Sequence, residues 1–187
     1  MSRTVYLFDE PERFVVGTVG LPGERQFYLQ AKDGGRIVAV TLEKQQANLL
    51  AERLEALLDE VQRRSSDSAA IPAIVDPENA DTAPLEAPVT AEFTVGALGL
   101  GWNAETSMIV IEAHEYTDES GEVPDLEDDG DEDAPDLLRV RLTGAQARAF
   151  VARTYAVVSA GRPPCPFCDL PLDPSGHICP RSNGYRR

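Results

Sequence analysis

Four side chains near the C-terminus have the types and the spacing of a metal site. Cys165 and Cys168 form a CxxC pair, and His177 and Cys179 follow after a gap of eight residues. Three thiolates and one imidazole are a common ligand set of a structural zinc ion with tetrahedral coordination. Proline and glycine residues between the two pairs suit the tight turns that so short a loop needs. The sequence therefore predicts one structural zinc ion per chain.

Four protein ligands leave this zinc no open position for water or substrate, so we expect it to stabilise the local fold and not to catalyse a reaction. A redox CxxC is the competing interpretation. Redox motifs of the thioredoxin kind begin a helix, whereas Pro163 and Pro164 precede this pair and Pro171 follows it. All the cysteines of the chain fall between Cys165 and Cys179, and this clustering favours metal ligation.

A second group of residues has the chemistry of an acid–base site. His114 is the only histidine outside the predicted zinc site, which makes it the one obvious general base. Glu112 alternates with His114 onto one face of a strand, and Arg139 and Arg141 alternate onto one face of another, where they could contact an anion. No second histidine, activated serine or phosphate-binding glycine loop accompanies them. A half-exposed strand histidine is the simpler interpretation of His114, the two arginines could equally be solvated, and no cofactor-binding residue is predicted.

A long acidic loop lies between the Glu112–His114 strand and the Arg139–Arg141 strand. Positions 117 to 137 contain eleven Asp or Glu residues and no Lys or Arg. Asp125 to Gly130, followed by Asp136, approaches the spacing of a calcium-binding EF-hand loop. However, the last ligand position holds Asp in place of a longer Glu, and no helices flank the loop. A disordered, solvated loop is the favoured interpretation.

Charge is segregated along the chain. The formal net charge is −15, yet from Arg139 to the end there are eight arginines against two aspartates. Zinc modules with basic and aromatic tails can bind nucleic acid through phosphate contacts and stacking. The acidic loop opposes that role unless it points elsewhere, and an equal alternative is that the loop pairs with the tail and masks it. The tail residues are Arg162, Arg181, Tyr185, Arg186 and Arg187.

Two amphipathic helices are predicted one hundred positions apart. In each, apolar residues recur at intervals of three and four, which places them on one helix face that must be buried. The second helix also begins with a capping-box pattern, Thr143 with Gln146. The corresponding positions are Ala47, Leu50, Ala51, Leu54, Leu57 and Leu58 in the first helix and Ala147, Phe150, Val151, Thr154, Val157 and Val158 in the second.

The strands before the two helices also correspond, which indicates an internal duplication. In the first half, Asp33-Gly34-Gly35 predicts a tight hairpin turn between the last two strands, and the acidic loop takes that place in the second half. Each half is therefore predicted as strand, strand, strand, helix. The matched segments are 18–20 with 94–96, 27–31 with 109–113, and 40–42 with 140–142.

These units predict an α+β protein in which internally duplicated β-β-β-α units form a mainly antiparallel sheet covered by two helices. A further strand, Thr4 to Phe8, brings the sheet to about seven strands. A small zinc knuckle follows the second helix. The predicted boundaries are 1–64 for the first repeat, 65–90 for a flexible Pro-rich linker, 91–161 for the second repeat with the acidic loop 117–137, and 162–187 for the zinc knuckle and basic tail.

Three glycines, Gly96, Gly99 and Gly101, lie in or at the end of one predicted strand. No helix follows them to receive a phosphate group, so a nucleotide site is not indicated. We expect a bulge or a close approach of another segment at these glycines. Trp102 is a candidate contact residue at the end of the strand, although a tryptophan in the core is more common.

Three stretches resemble an uncharacterised actinobacterial family, domain of unknown function 3090, whose members are described as repeat proteins. They are the opening 3–9, the strand 14–20, and the closing cysteine and histidine motif 165–181. The resemblance covers essentially the whole chain. It implies a duplicated body with a zinc-knuckle tail in a cytoplasmic protein, and it transfers no catalytic residue.

The sequence supports two functional hypotheses. The first is a non-enzymatic adaptor or regulatory protein that contacts a protein partner, or a nucleic acid, through its zinc knuckle. The alternative is an enzyme acting on a phosphorylated or nucleotide substrate at the open sheet face. With no apolar run near the about 18 residues of a membrane span and no secretory signal at the start, we expect a cytoplasmic protein without membrane contact, and an oligomer if an apolar sheet face stays uncovered.

Overall fold

The computed structural model describes residues 3–21, 23–64, 71–75, 80–118, 125–131, 133–161, 165–168 and 179. Strands and helices in this part of the chain follow the predicted order, with an initial strand and then three strands and a helix twice. The elements are β1 Val5–Asp9, β2 Arg13–Val19, β3 Gln26–Asp33, β4 Arg36–Leu42, α1 Lys44–Arg64, β5 Ala91–Asn103, β6 Met108–Glu115, β7 Leu137–Leu142 and α2 Gly144–Ser159. The α+β class is confirmed.

The strands form a single mixed sheet in the order β1-β7-β6-β5-β4-β3-β2. Four of the neighbouring pairs are antiparallel, which confirms the mainly antiparallel prediction, while β1 with β7 and β4 with β5 are parallel. Both parallel pairs join strands that are distant in sequence. The β4–β5 pair connects the two halves, so the halves share one sheet.

The sheet curls until its two ends come close. β1 and β2 are the outermost strands, yet only positions 10 to 12 separate them in the chain. That connection spans at most about 14 Å, whereas a flat sheet of seven strands would be about 29 Å wide. Arg36 of β4 donates a hydrogen bond to the Leu7 carbonyl of β1, and Tyr6 packs on Phe93 of β5. The sheet therefore wraps around its own core.

Both helices pack on the concave side of this sheet and against each other. Their predicted apolar faces, together with alternate residues of every strand, form one continuous core, and Leu57, Val157 and Val158 are only partly buried. Phe14 of β2 stacks on Phe150 of α2, with ring centroids 4.8 Å apart. Thr154, the one polar member of the two faces, is buried and donates its hydroxyl hydrogen to the Phe150 carbonyl. One core serves both halves.

Strand register supports the correspondence between the halves. Gln30 lies opposite Ala39 in the β3–β4 pair, and Glu112 lies opposite Arg139 in the β6–β7 pair. The matches of 27–31 with 109–113 and of 40–42 with 140–142 predict this pairing. The match of 18–20 with 94–96 is wrong, since Gly17 and Gly101 hold equivalent positions opposite β3 and β6. β5 has 13 residues and β2 has 7, and the segment of β5 that is equivalent to β2 lies entirely after the register shift at Val95.

Two of the predicted backbone features are also present. The turn between β3 and β4 has Gly34 at a φ of 55°, which glycine reaches without the Cβ clash of other residues. Gly96 lies at the register shift of β5, and a Cβ there would come within 2.8 Å of Tyr116 Cα. Trp102 packs against the core, so the simpler interpretation of this residue is confirmed.

Candidate metal centre and buried ion-pair cluster

Three cysteines gather at the C-terminal end of the described chain. The sulfur atoms of Cys165, Cys168 and Cys179 all lie within 4.8 Å of one another. Cys165 Sγ and Cys179 Sγ are 3.8 Å apart, which is far longer than the about 2.0 Å of a disulfide bond. Two thiolates bound at about 2.3 Å to one tetrahedral zinc would be separated by about 3.8 Å. The cluster therefore has the spacing of metal ligands.

The donor set fits a soft metal ion, because thiolates select zinc, copper(I) and iron–sulfur clusters over hard cations. The fourth predicted ligand, His177, lies outside the described residues. Within those residues, this is the one group of three or more Cys, His, Asp or Glu whose ligand atoms converge. The cysteines Cys165 and Cys179 are buried, while Phe167, between Cys165 and Cys168, is 62% exposed. The centre thus carries an aromatic ring on its surface.

Glu112, His114 and Arg139 come together on the sheet face that points away from the helices. Each of these side chains is at most 3% exposed. Arg139 Nε lies 2.5 Å from Glu112 Oε1, and His114 Nε2 lies 3.2 Å from Glu112 Oε2. This second contact has the distance of an ion pair but not the alignment of a hydrogen bond, so both ring nitrogens of His114 are buried without an aligned partner. The expectation of a half-exposed His114 is therefore wrong, and so is the interpretation of Arg139 as solvated.

The charge state of Glu112 follows from its neighbours. Burial by itself would raise the pKa of Glu112, but the His114 ring, the Glu127 amide and the Arg139 guanidinium oppose it and lower the pKa to about 2. Burial also works against the charge of Arg139, whose pKa is nevertheless raised by its bonds to Asp129 and Glu112. The pair is therefore fully ionised at neutral pH and buried, a costly arrangement unless each charge is matched.

Part of the acidic loop closes over this cluster. The Asp129 carboxylate accepts hydrogen bonds from both terminal nitrogens of Arg139 at 2.9 Å. The Glu127 carboxylate accepts one from Arg141 Nε, also at 2.9 Å. Arg141 further donates to Asp9. These carboxylates face guanidinium groups, which disfavours the calcium interpretation. Residues 125–131 are held against the sheet, so the prediction of a disordered loop is wrong for this segment, although Asp125 and positions 128–131 are exposed as predicted.

Leu126 fixes the same segment by its side chain. It lies over two of the glycines of β5, where an added Cβ would be 2.9 Å from Leu126 at Gly99 and 2.5 Å at Gly101. The close approach expected at these glycines is confirmed. The sheet face that was expected to be open is therefore covered at Glu112 and Arg139.

The first half carries a cover of the same kind. Leu85 lies over Gly17, where a Cβ would be 2.5 Å away, and the Glu86 amide donates to Gln30 Oε1 at 2.9 Å. In the second half, the Glu127 amide donates to Glu112 Oε1 at 2.9 Å. A Leu-Glu pair thus covers the equivalent position of each half. This segment of the predicted linker has no regular secondary structure, but it is held by these contacts.

Asp81 in the same segment is held by two arginines. Arg13 donates to it from Nε and Nη2, and Arg153 donates from Nη1. The bond from Arg13 is the main reason that the pKa of Asp81 is lowered. A cavity of about 200 Å³ opens beside these residues, between β2 and the first turns of α2. Both guanidinium groups donate to Asp81 and to the Ala83 carbonyl, so the cluster fastens the segment to β2 and α2, although Arg13 Nη1 is buried without a hydrogen-bond partner.

A family model described as "Protein of unknown function (DUF3090)" matches residues 6–179. The chain belongs to this family. The matched stretch runs from β1 to Cys179, so it includes both the sheet body and the three clustered cysteines. No curated protein and no solved structure gives a significant match. The family description names no source and no metal, so the actinobacterial origin and the zinc knuckle stay predictions.

In the described residues, no helix is long and apolar enough to cross a membrane.

Proposed function

We propose that this protein is a non-enzymatic, zinc-binding adaptor that contacts a protein partner through its Cys-Pro-Phe-Cys segment. The observation that carries the proposal is the convergence of three cysteine sulfurs within 4.8 Å. His177 completes a Cys₃His set in this proposal, and such a closed zinc acts by folding its segment. Reduced thiolates suit a reducing compartment, so we place the protein in the cytoplasm.

The contact surface in this proposal is centred on Phe167. This ring is 62% exposed and lies between two metal ligands, which would hold its backbone in place. Rigid aromatic side chains are frequent anchors of protein interfaces, because they bury much area and lose little conformational entropy. Loss of the metal would therefore remove the contact surface as well.

The first experiment measures the metal and the partner separately. Zinc per chain is determined in untagged wild type, Cys165→Ser and Phe167→Ala, and each is then used to capture partners identified with the wild type. We expect one zinc in wild type and in Phe167→Ala, and none in Cys165→Ser. The partner should be lost in both variants. Leu21→Ala, which removes an exposed apolar side chain from the β2–β3 connection, is the control and should keep both.

Retention of the partner by Phe167→Ala would contradict the adaptor surface while leaving the metal assignment intact. A wild type that binds zinc no better than Cys165→Ser would remove the metal assignment itself. Binding of zinc-loaded wild type to nucleic acid, lost when the tail arginines from Arg181 onward are replaced, would favour the nucleic-acid partner. The same samples give the oligomeric state by light scattering.

The alternative is an enzyme that uses Glu112, His114, Arg139 and Arg141 on a phosphorylated or nucleotide substrate. The observation in its favour is that these four side chains share one sheet face. Opposing it, Glu112 and Arg139 are buried under positions 125–131, and their charges are already matched. An activity lost in Glu112→Gln with the fold retained would support this alternative.

A further inference from the structure

The second half buries two charged side chains, Glu112 and Arg139, although a covering segment such as 125–131 can be held without them. Gln30, which is neutral, accepts the amide of the covering segment in the first half, and Glu112 does so in the second half. Ala39 lies opposite Gln30, where Arg139 lies opposite Glu112. The first half thus has the same strand pairing and the same kind of covering segment, without the ion pair. Because buried ion pairs seldom stabilise a protein more than apolar residues of similar volume, the additional charges call for another explanation.

The guanidinium of Arg139 is oriented toward a ligand with two or more oxygens. Its Nε donates a hydrogen bond to Glu112. The other edge of the guanidinium, formed by Nη1 and Nη2, faces Asp129. Both nitrogens of that edge bind one carboxylate oxygen each, at 2.9 Å. The Asp129 side chain is 57% exposed although Arg139 is 3% exposed. The carboxylate therefore reaches a buried guanidinium from the solvent side, where another anion could take its place.

A second arginine approaches the same carboxylate. Arg3 Nη1 donates to the Asp128 carbonyl at 3.0 Å and lies 3.9 Å from Asp129 Oδ1. The Arg3 side chain is 4% exposed, and its Nε and Nη2 are buried without a hydrogen-bond partner. Unsatisfied donors of this kind are rare in folded proteins and point to a missing acceptor. One carboxylate cannot engage both guanidinium groups fully, whereas a phosphate group has the oxygens to do so.

We propose that Arg3 and Arg139 form a binding site for a phosphate-bearing anion, and that the Asp129 carboxylate occupies this site when positions 125–131 are closed. Asp129 is then an internal competitor, because its removal frees the Arg139 edge and increases the fraction of chains able to bind. The site does not depend on the cysteine cluster, nor on any catalysis by His114.

The test is calorimetric titration of the full chain with inorganic phosphate at constant ionic strength. Asp129→Ala should bind phosphate roughly tenfold more tightly than wild type, and Asp129→Ala combined with Arg139→Gln should lose that gain. Asp59→Ala is the matched control, since Asp59 is also an exposed carboxylate on a buried guanidinium, that of Arg148, at 55% and 8% exposure. It should bind phosphate as wild type does.

Equal affinity of Asp129→Ala and wild type would overturn the proposal, as would a gain that survives Arg139→Gln. If Asp129→Ala does not fold, as judged by circular dichroism, the comparison moves to wild type and Arg3→Gln. Phosphate should then raise the melting temperature of wild type above that in chloride of equal ionic strength. The increase should vanish in Arg3→Gln, and the same increase in both proteins would overturn the proposal.

Discussion

Single residues of the buried cluster couple charge to stability. Glu112 is ionised in the folded protein because His114, the Glu127 amide and Arg139 outweigh the burial that opposes its charge. Removing one partner of such a pair leaves the other charge buried and unmatched, which is more costly than never having the pair. We therefore expect Glu112 to be among the positions least tolerant of substitution, although Gln30 at the equivalent position is neutral.

The pH dependence of unfolding tests this role of Glu112. Its pKa is lowered from 4.5 to about 2, so the stabilisation by the carboxylate is complete above pH 4.5 and is lost as the pH falls from 4.5 toward 2. We expect Glu112→Gln to reduce the free energy of unfolding by about 3 kcal/mol at pH 7. Urea unfolding at pH 6 and at pH 3 should show this difference shrinking in acid. A constant difference at both pH values would contradict the role.

At the scale of elements, the two helices begin differently although they occupy equivalent places. Thr143 and Gln146 form a full capping box at the start of α2, with side-chain bonds in both directions. At the start of α1, the Gln46 side chain accepts from the Glu43 amide. Helix ends leave amide groups that need such partners. The residue before α2 therefore supplies a side-chain acceptor, whereas Glu43 before α1 takes part in this bond through its backbone amide.

Substitution of the two equivalent positions measures this difference. Thr143→Ala removes the hydroxyl that accepts from the Gln146 amide and should lower the free energy of unfolding by about 1 kcal/mol. Glu43→Ala is the matched control, because the Glu43 amide and its bond to Gln46 remain, and we expect a change within about 0.5 kcal/mol. Chemical denaturation of both variants gives the comparison. Equal losses would show that the capping box is not what distinguishes α2.

At the scale of the whole molecule, the two halves cannot be independent domains. α2 packs on β2 of the first half, and α1 packs on β5 of the second. The Phe14–Phe150 stack crosses between them, and so do the bonds of Arg153 to Asp81 and to the Val16 carbonyl. Each half alone would expose the apolar faces that the other half covers.

Splitting the chain between positions 90 and 91 tests this dependence. We expect fragments 1–90 and 91–161 to show no cooperative thermal unfolding alone, and an equimolar mixture to regain it, with chain 1–161 as the positive control. Circular dichroism during heating is the measurement. Cooperative unfolding of fragment 91–161 by itself would show that the second half has a sufficient core of its own.

The sequence by itself determined the parts that depend on neighbouring residues. The spacing of apolar residues at three and four positions located both helices, and alternation with Gly34-Gly35 located the β3–β4 hairpin. Clustering of Cys165, Cys168 and Cys179 indicated a metal site. These features are readable because helix faces, strand faces and tight turns are set within a few residues of the chain.

Tertiary structure decided which distant residues meet. Arg139 binds Glu112 from 27 positions away, and Arg3 approaches Asp129 only because β1 lies parallel to β7. The roles of Leu85 and Leu126 as covers were missed, and the Leu-Glu pair that both share was their one signal in the sequence. Such contacts depend on strand register and on how the sheet curls, which the whole chain fixes through burial of one core. No short pattern contains that information.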